Sequence, residues 1–414
     1  MHKFPFLYIM QPIALSNGIR VVSLYAQGPV ARCALVVNAG SRDELESEHG
    51  LAHFVEHTVF KGTNRRRASQ IINRLDEVGG ELNAYTTKDE TAIHATFLHE
   101  DFNRAAELIA DMAFNSTFPE RELAKEREVI IDEITSYEDT PSELIYDEFE
   151  QMAYAGTPLG HNVLGTPETV ARFTGDDALR FMGRTYTTDK MAFVYIGPHT
   201  EKQVMHVAER YFGIVPRRTR RPERGVVSQF AHFDKTIDKG TSQAHVLLGC
   251  PAPSNKSNRR LEMSILSSIL GGPSMNSRLS VALRERNGIA YNVESSYISF
   301  DDTGLFSVYF GTDQQNIERS MRIVRREVDK LQQSPLTPTT FKRVMRQYIN
   351  QTLMSADDSE SVMLAAGRSV TLYGEVLSPY DIATQIRELV TPETLLDAAR
   401  SFLAPDKMSR LIFC

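Results

Sequence analysis

Two hydrophobic periods take turns along this chain. After the turn signal Ser16-Asn17-Gly18, residues 19–26 and 30–38 are rich in Val, Leu, Ile and Ala, and they read as a hairpin or as neighbouring strands. Spacing of three and four then takes over, predicting helices over about 51–60 and 69–78. Two β-like runs follow at 81–86 and 91–98, and long helical patterns occupy about 101–115 and 120–137. Strands and helices that come in groups, instead of alternating singly, predict an α+β fold.

The order then recurs. Residues 216–225, Pro-Arg-Arg-Thr-Arg-Arg-Pro-Glu-Arg-Gly, are polar, basic and bounded by proline, as a linker between compact units is. Beyond them, 289–293 and 304–310 answer the β-like runs 81–85 and 91–97. Helical patterns at 312–324 and 339–354 answer those at 99–109 and 120–137. The expectation is a duplicated α+β domain, with residues 1–215 and 226–414 as tandem units joined by 216–225.

Composition narrows the function classes. At 414 residues with 42% hydrophobic and 24% charged positions, the chain can bury large cores and is neither disordered nor membrane-like. Fifty-three acidic residues against 46 basic ones give a net charge of −7, which argues against nucleic acid or an anionic membrane as partner. Cys33, Cys250 and Cys414 offer neither a disulfide framework nor a thiolate cage, so any metal must use nitrogen and oxygen. A short apolar patch at residues 4–10 lacks the features of a secretory signal, and no apolar stretch is long enough to span a membrane. A cytoplasmic location is the expectation.

The chemistry concentrates in Gly50-Leu-Ala-His-Phe-Val-Glu-His-Thr-Val-Phe-Lys-Gly62. His53 and His57, four apart on a helix, project from one face and can reach one ion, with Glu56 beside them. Zinc accepts two imidazoles and a carboxylate and leaves a place for water, which a neighbouring unligated carboxylate can deprotonate. The spacing is that of the inverted motif His-x-x-Glu-His. A third ligand is needed. Glu126 and Glu133 stand seven apart on the predicted helix 120–137, with Val129 and Ile130 between them on the same stripe. Carboxylates on an apolar stripe require partners, a metal cluster or an ion pair with Arg127 or Lys125, whereas Glu128 and Asp132 suit a solvated face.

With these motifs the chain resembles the pitrilysin/insulinase family of inverzincins, the group that includes mitochondrial processing peptidase, and above all its bacterial members built from two-domain chains. The resemblance implies two homologous sheet-plus-helices domains and one Zn2+ per chain. It also implies His53, His57 and Glu133 as ligands, Glu133 lying 76 positions beyond His57, with Glu56 as general base and Glu126 as a supporting carboxylate. Gly79-Gly-Glu-Leu-Asn-Ala-Tyr85 resembles the family's edge strand for an extended peptide, with Asn83, Ala84 and Tyr85 as its contacts. Arg284-Glu-Arg-Asn-Gly-Ile-Ala-Tyr291 resembles its Arg/Tyr pair, which holds substrate and stabilises the oxyanion. Gly271 and Gly272 open a segment like its glycine-rich loop, and that segment is no Walker motif. His161 reads as structural.

The implied activity is that of a zinc metalloendopeptidase acting on extended or unfolded peptides in a chamber formed by paired domains, as a homodimer. The alternative is a catalytically silent assembly subunit of the same fold. Such subunits usually lose motif residues, and here all five metal-site residues are present.

Overall fold

A computed structural model describes residues 11–219, 224–227, 229–404 and 408–414. The apolar patch at 4–10 and residues 220–223 of the expected linker lie outside the described residues. No helix among the described residues is long and apolar enough to cross a membrane.

The chain forms two compact units, and each is assembled from three separate segments. The first comprises Met1–Ile134, His161–Arg224 and Met354–Ile382; the second comprises Thr135–Gly160, Gly225–Leu353 and Ala383–Cys414. These units cut across the expected boundaries of 1–215 and 226–414. Helix Pro141–Ala153 belongs to the second unit and helix Ser359–Tyr373 to the first.

The first unit is built on a six-stranded sheet. Its strands are β1 (Ile13–Ala14), β2 (Arg20–Tyr25), β3 (Val30–Val37), β4 (Glu81–Thr86), β5 (Thr91–Leu98) and β6 (Met191–Gly197), in the spatial order β1-β2-β6-β3-β5-β4. β2 and β3 are therefore not a hairpin. Between them lies β6, parallel to β2 and antiparallel to β3, with Phe193 opposite both Val21 and Leu35. The reason is burial: every residue of β6 is buried, so it belongs at the sheet's centre, where both faces are covered.

Period-two alternation explains the exchanged helix. Cys33, Leu35 and Val37 of β3, with Met191, Phe193 and Tyr195 of β6, point into a core capped by helices Leu51–Thr58 and Phe102–Asn115. The intervening residues, Ala34, Val36, Ala192, Val194 and Ile196, are equally apolar and need a cover of their own. Met363, Ala366 and Val370 of helix Ser359–Tyr373 supply it. The second unit solves the same problem with helix Pro141–Ala153, whose Ile145, Phe149 and Ala153 pack on Leu247, Leu411 and Phe413. A sheet apolar on both faces needs two layers, and here one layer comes from a distant stretch of chain.

The second unit has strands β7 (Asp234–Ile237), β8 (Ala244–Ala252), β9 (Ala290–Ser299), β10 (Gly304–Thr312) and β11 (Ser409–Phe413), in the order β7-β11-β8-β10-β9. β7 is parallel to β11 and the other neighbours are antiparallel, which repeats β2-β6-β3-β5-β4 strand for strand. The duplication legible in the sequence is thus a duplication of topology. The basic run before β7 is more than a solvated loop. Arg224 is nearly buried and forks onto Asp43, with Nε to Oδ1 at 2.9 Å and a guanidinium nitrogen to Oδ2 at 2.7 Å, while also reaching Asp89 at 3.1 Å. The end of the expected linker is thereby fastened to the first unit.

Candidate metal centre

Gly50 opens helix Leu51–Thr58 with φ of 93°, a left-handed conformation that a side chain would strain, and an added Cβ would meet Gly165 Cα at 2.6 Å. The first N–H groups of this helix are satisfied by the buried carboxylate of Glu44, which accepts from Gly50 N at 2.9 Å and Ala52 N at 2.7 Å. Burial raises the Glu44 pKa, and these two hydrogen bonds work against that rise. Leu51, Ala52, Phe54 and Val55 bury the rest of the helix, so its histidine face is fixed in rotation.

On that face the rings of His53 and His57 stand 4.6 Å apart. Glu133, from helix Glu120–Glu138, turns Oε2 toward both, 3.3 Å from His57 Nε2 and 3.8 Å from His53 Nε2. Ligand atoms of these three residues all lie within 4.8 Å of one another. Zinc bonds of about 2.0–2.2 Å in tetrahedral geometry put ligand atoms about 3.3–3.6 Å apart, so the set fits zinc with little rearrangement. The protonation state of His53 fits as well. Burial, followed by the neighbouring His57, pushes the His53 pKa down to about 3, which keeps that imidazole neutral and able to ligate.

Glu126 orients His57. Its Oε1 accepts from, or is paired with, His57 Nδ1 at 3.0 Å, leaving Nε2 to face Glu133. The other oxygen pairs with Lys61 Nζ at 2.6 Å. Burial raises the Glu126 pKa, but the contacts to His57 and Lys61 outweigh it and the carboxyl is lowered overall. For His57 the balance is reversed: burial opposes protonation, yet Glu126, Glu133 and Glu56 together raise its pKa. Arg127 and Lys125 pair elsewhere, with Glu120 and Glu122. Val129 is 51% exposed and does not share the stripe of Glu126 with the buried Leu123, Ile130 and Ile134.

Glu56, close enough to the cluster to feel the charges of His57 and Glu133, is held by the hydroxyl and backbone of Thr86, at the end of β4; burial raises its pKa, and these hydrogen bonds with nearby His57 partly reverse the rise. β4 is an edge strand, paired on one side with β5. Asn83 is exposed on it, Ala84 is half-buried, and the Tyr85 hydroxyl donates to Glu90 at 3.0 Å. Lys61 and Thr86 were not evident from motif spacing. The only signal for Lys61 was its position four residues beyond His57, and Thr86 gave none, since its role depends on a strand end meeting a helix.

The remaining candidates belong to the second unit. Gly271 ends helix Arg260–Gly271 so close to β9 that an added Cβ would meet Ser295 N at 2.5 Å, and Gly272 follows it. Arg284 lies in a π-helical turn, Ser280–Glu285, paired with Glu285 at 2.9 Å, and Tyr291 is exposed on β9, an edge strand like β4. His161, in the first unit, stacks on His49 with centroids 4.5 Å apart and stands outside the metal cluster.

Comparison with known proteins bears on both units. Residues 20–167 match the sequence model described as insulinase, peptidase family M16, and residues 172–348 match the peptidase M16 inactive domain. An uncharacterized zinc protease of Bacillus subtilis is 32% identical over 400 residues, covering 96% of each chain. One from Streptomyces coelicolor is 33% identical over 404 residues, covering 94% of this chain and 86% of its own. Two crystal structures share the fold. A protease from Helicobacter pylori superposes with a TM-score of 0.88 at 20% identity, over 98% of this chain and all of that one. A peptidase M16 inactive domain from Pseudomonas fluorescens gives 0.89 at 19% identity, over 97% of each.

Proposed function

The chain belongs to the insulinase family of peptidases, family M16, and from that premise we propose that it is a zinc metalloendopeptidase hydrolysing extended peptides. The observation that carries this reading is the convergence of His53, His57 and Glu133 within ligand distance of one another, with the separately held carboxylate of Glu56 on the same short helix. His53, His57 and Glu133 would hold the ion. When bound, zinc supplies Lewis acidity toward a carbonyl and toward water.

The chain's own groups do the rest. Glu56 takes a proton from the attacking water on its carboxylate and returns it to the departing amine. Its raised pKa makes the carboxylate a stronger base toward that water than an ordinary glutamate is. Glu126 fixes the ring of His57, and Lys61 keeps Glu126 ionised. The free edge of β4 accepts an extended backbone as a further strand, with Asn83, Ala84 and Tyr85 along it. Arg284 and Tyr291 hold the substrate and donate to the developing oxyanion, with Gly271 and Gly272 beside the peptide. That assignment, like homodimerisation to enclose a chamber, rests on the family resemblance. Buried, unpaired Cys33 and Cys250 suit a reducing cytoplasm.

The test is cleavage of an unbiased peptide library by the wild-type chain, followed by mass spectrometry, with metal content measured on the same samples. Cleavage should cease on chelation, return with zinc, and be absent from a metal-replete Glu56→Gln variant. A zinc-loaded wild-type chain that cleaves no peptide would leave the silent-subunit reading in its place.

A further inference from the structure

Because the second unit repeats the strand order of the first, the cleft that holds the metal residues in the first has a counterpart. It lies between helix Arg260–Gly271 and helix Pro338–Met354. A cavity of about 90 Å³ opens there, lined among others by Ser268, Asn276, Arg278, Thr340, Arg343 and Gln347, and its described lining carries no carboxylate. One water needs only about 10–15 Å³ by this measure, so a group of several heavy atoms fits.

The two arginines have no partner of their own. Among the described residues, neither Arg278 nor Arg343 makes a hydrogen bond or an ion pair, and the two guanidinium groups repel each other across the cavity. Burial lowers the Arg278 pKa, Glu327 raises it from a distance, and Arg343 lowers it further. Glu327 is itself engaged with Lys330 at 2.7 Å. The rim is rigid. Asn276 Nδ2 donates to Gln347 Oε1 at 3.1 Å, while Gln347 and Gln351 donate to Ser274 Oγ at 2.9 and 2.8 Å, tying the loop to the helix. Along the same helix the cavity continues into an open groove with Lys342 and Arg346, again without a carboxylate. On a chain of net charge −7 this is a local reversal of sign.

We propose that this cleft is an oxyanion-binding site, in which Arg278 and Arg343 together grip a phosphate or carboxylate group. Two like charges lining one cavity are relieved by an anion between them, and a guanidinium presents paired N–H donors matched to such oxygens. The oxyanion is either a free ion of the phosphate class or an acidic side chain of a peptide. The proposal is independent of the peptidase reading, because neither arginine is assigned to the metal, the water or the strand.

Calorimetric titration of the complete chain tests it, with inorganic pyrophosphate in one arm and an unstructured hexaglutamate peptide in the other. Saturable binding is expected in at least one arm, weaker at raised ionic strength, and the arm that binds identifies the source of the oxyanion. Arg278→Gln and Arg343→Gln should each weaken it roughly tenfold or more, while Lys202→Gln, an equal change of charge in the first unit, should not. Arg343 is exposed, so its variant keeps the test valid even if the half-buried Arg278 proves necessary for folding. No saturable binding in either arm, or binding that Arg343→Gln leaves intact, overturns the proposal. So does binding that Glu133→Gln abolishes, since that would place the anion on the metal.

Discussion

The two units carry the same sheet and the same succession of helices, yet their equivalent clefts have opposite chemistry. In the first, helices Leu51–Thr58 and Glu120–Glu138 bring together two imidazoles and two carboxylates, a set that attracts a cation. In the second, helices Arg260–Gly271 and Pro338–Met354, with the segment that follows the first of them, offer serine, threonine and amide groups with Arg278 and Arg343 and, in the described lining, no carboxylate, the set proposed above to take an anion. Backbone topology therefore supplies the cleft and side chains alone decide its charge. One fold has been used twice, and only one copy retained a motif that sequence reading can recognise.

The strongest way to break this comparison is to remove the base proposed for the first unit. Glu56→Gln keeps the shape of the side chain and should cost about 10²–10⁴-fold in peptide turnover with zinc retained, as rate and metal assays on one preparation will show. Turnover at the wild-type rate would falsify the role. His53→Ala and Glu133→Gln differ in kind, because each deletes a proposed ligand, and zinc stoichiometry itself should fall.

If the second unit contributes to the reaction, Tyr291→Phe should lower turnover by about 10²–10³-fold without loss of metal. A structural tyrosine would instead shift only the melting temperature. Glu126→Gln probes the support of His57 and should weaken zinc binding by about 10–100-fold, measured against a competing chelator. Affinity unchanged in that variant would mean that packing alone orients the ring.

The pH dependence of zinc binding sharpens the picture of the cluster. A proton on His57 competes with the metal, and the carboxylates around it raise its pKa despite burial, whereas His53 is held near 3. Affinity should therefore fall as pH drops through the His57 pKa by about tenfold per unit, the slope of a single proton. A hundredfold slope would show that both histidines titrate together. The smallest effect is on stability. Gly50→Ala forces a side chain into a left-handed residue against Gly165 and should cost about 1–3 kcal/mol in denaturant unfolding.

Much of this was legible in the chain. Runs 81–86 and 91–98 form β4 and β5 at those boundaries, because the turn between them and the change of period are local signals. The convergence of His53, His57 and Glu133 was legible for a related reason: the two histidines share a helical face by spacing alone, and family resemblance picked out Glu133. Other features left no local trace. β6 separates β2 from β3, and nothing in residues 19–38 encodes a strand that arrives more than 150 positions later. Lys61, just beyond helix Leu51–Thr58, pairs with Glu126 on a helix distant in sequence, and neighbours of Glu126 in sequence were the natural but mistaken candidates.

The sequence by itself determined the periods, the duplication, the inverted motif and the absence of a thiolate cage, since these depend on which residue types lie within a few positions of each other. Tertiary structure decided the rest. It exchanged helices Pro141–Ala153 and Ser359–Tyr373 between the halves, because each sheet has two apolar faces and the second could be covered by any amphipathic helix that reached it. It brought Thr86 to Glu56, and it set Arg278 and Arg343 on one cavity whose described lining carries no carboxylate. Those outcomes depend on distances across the fold, which no local pattern of residues records.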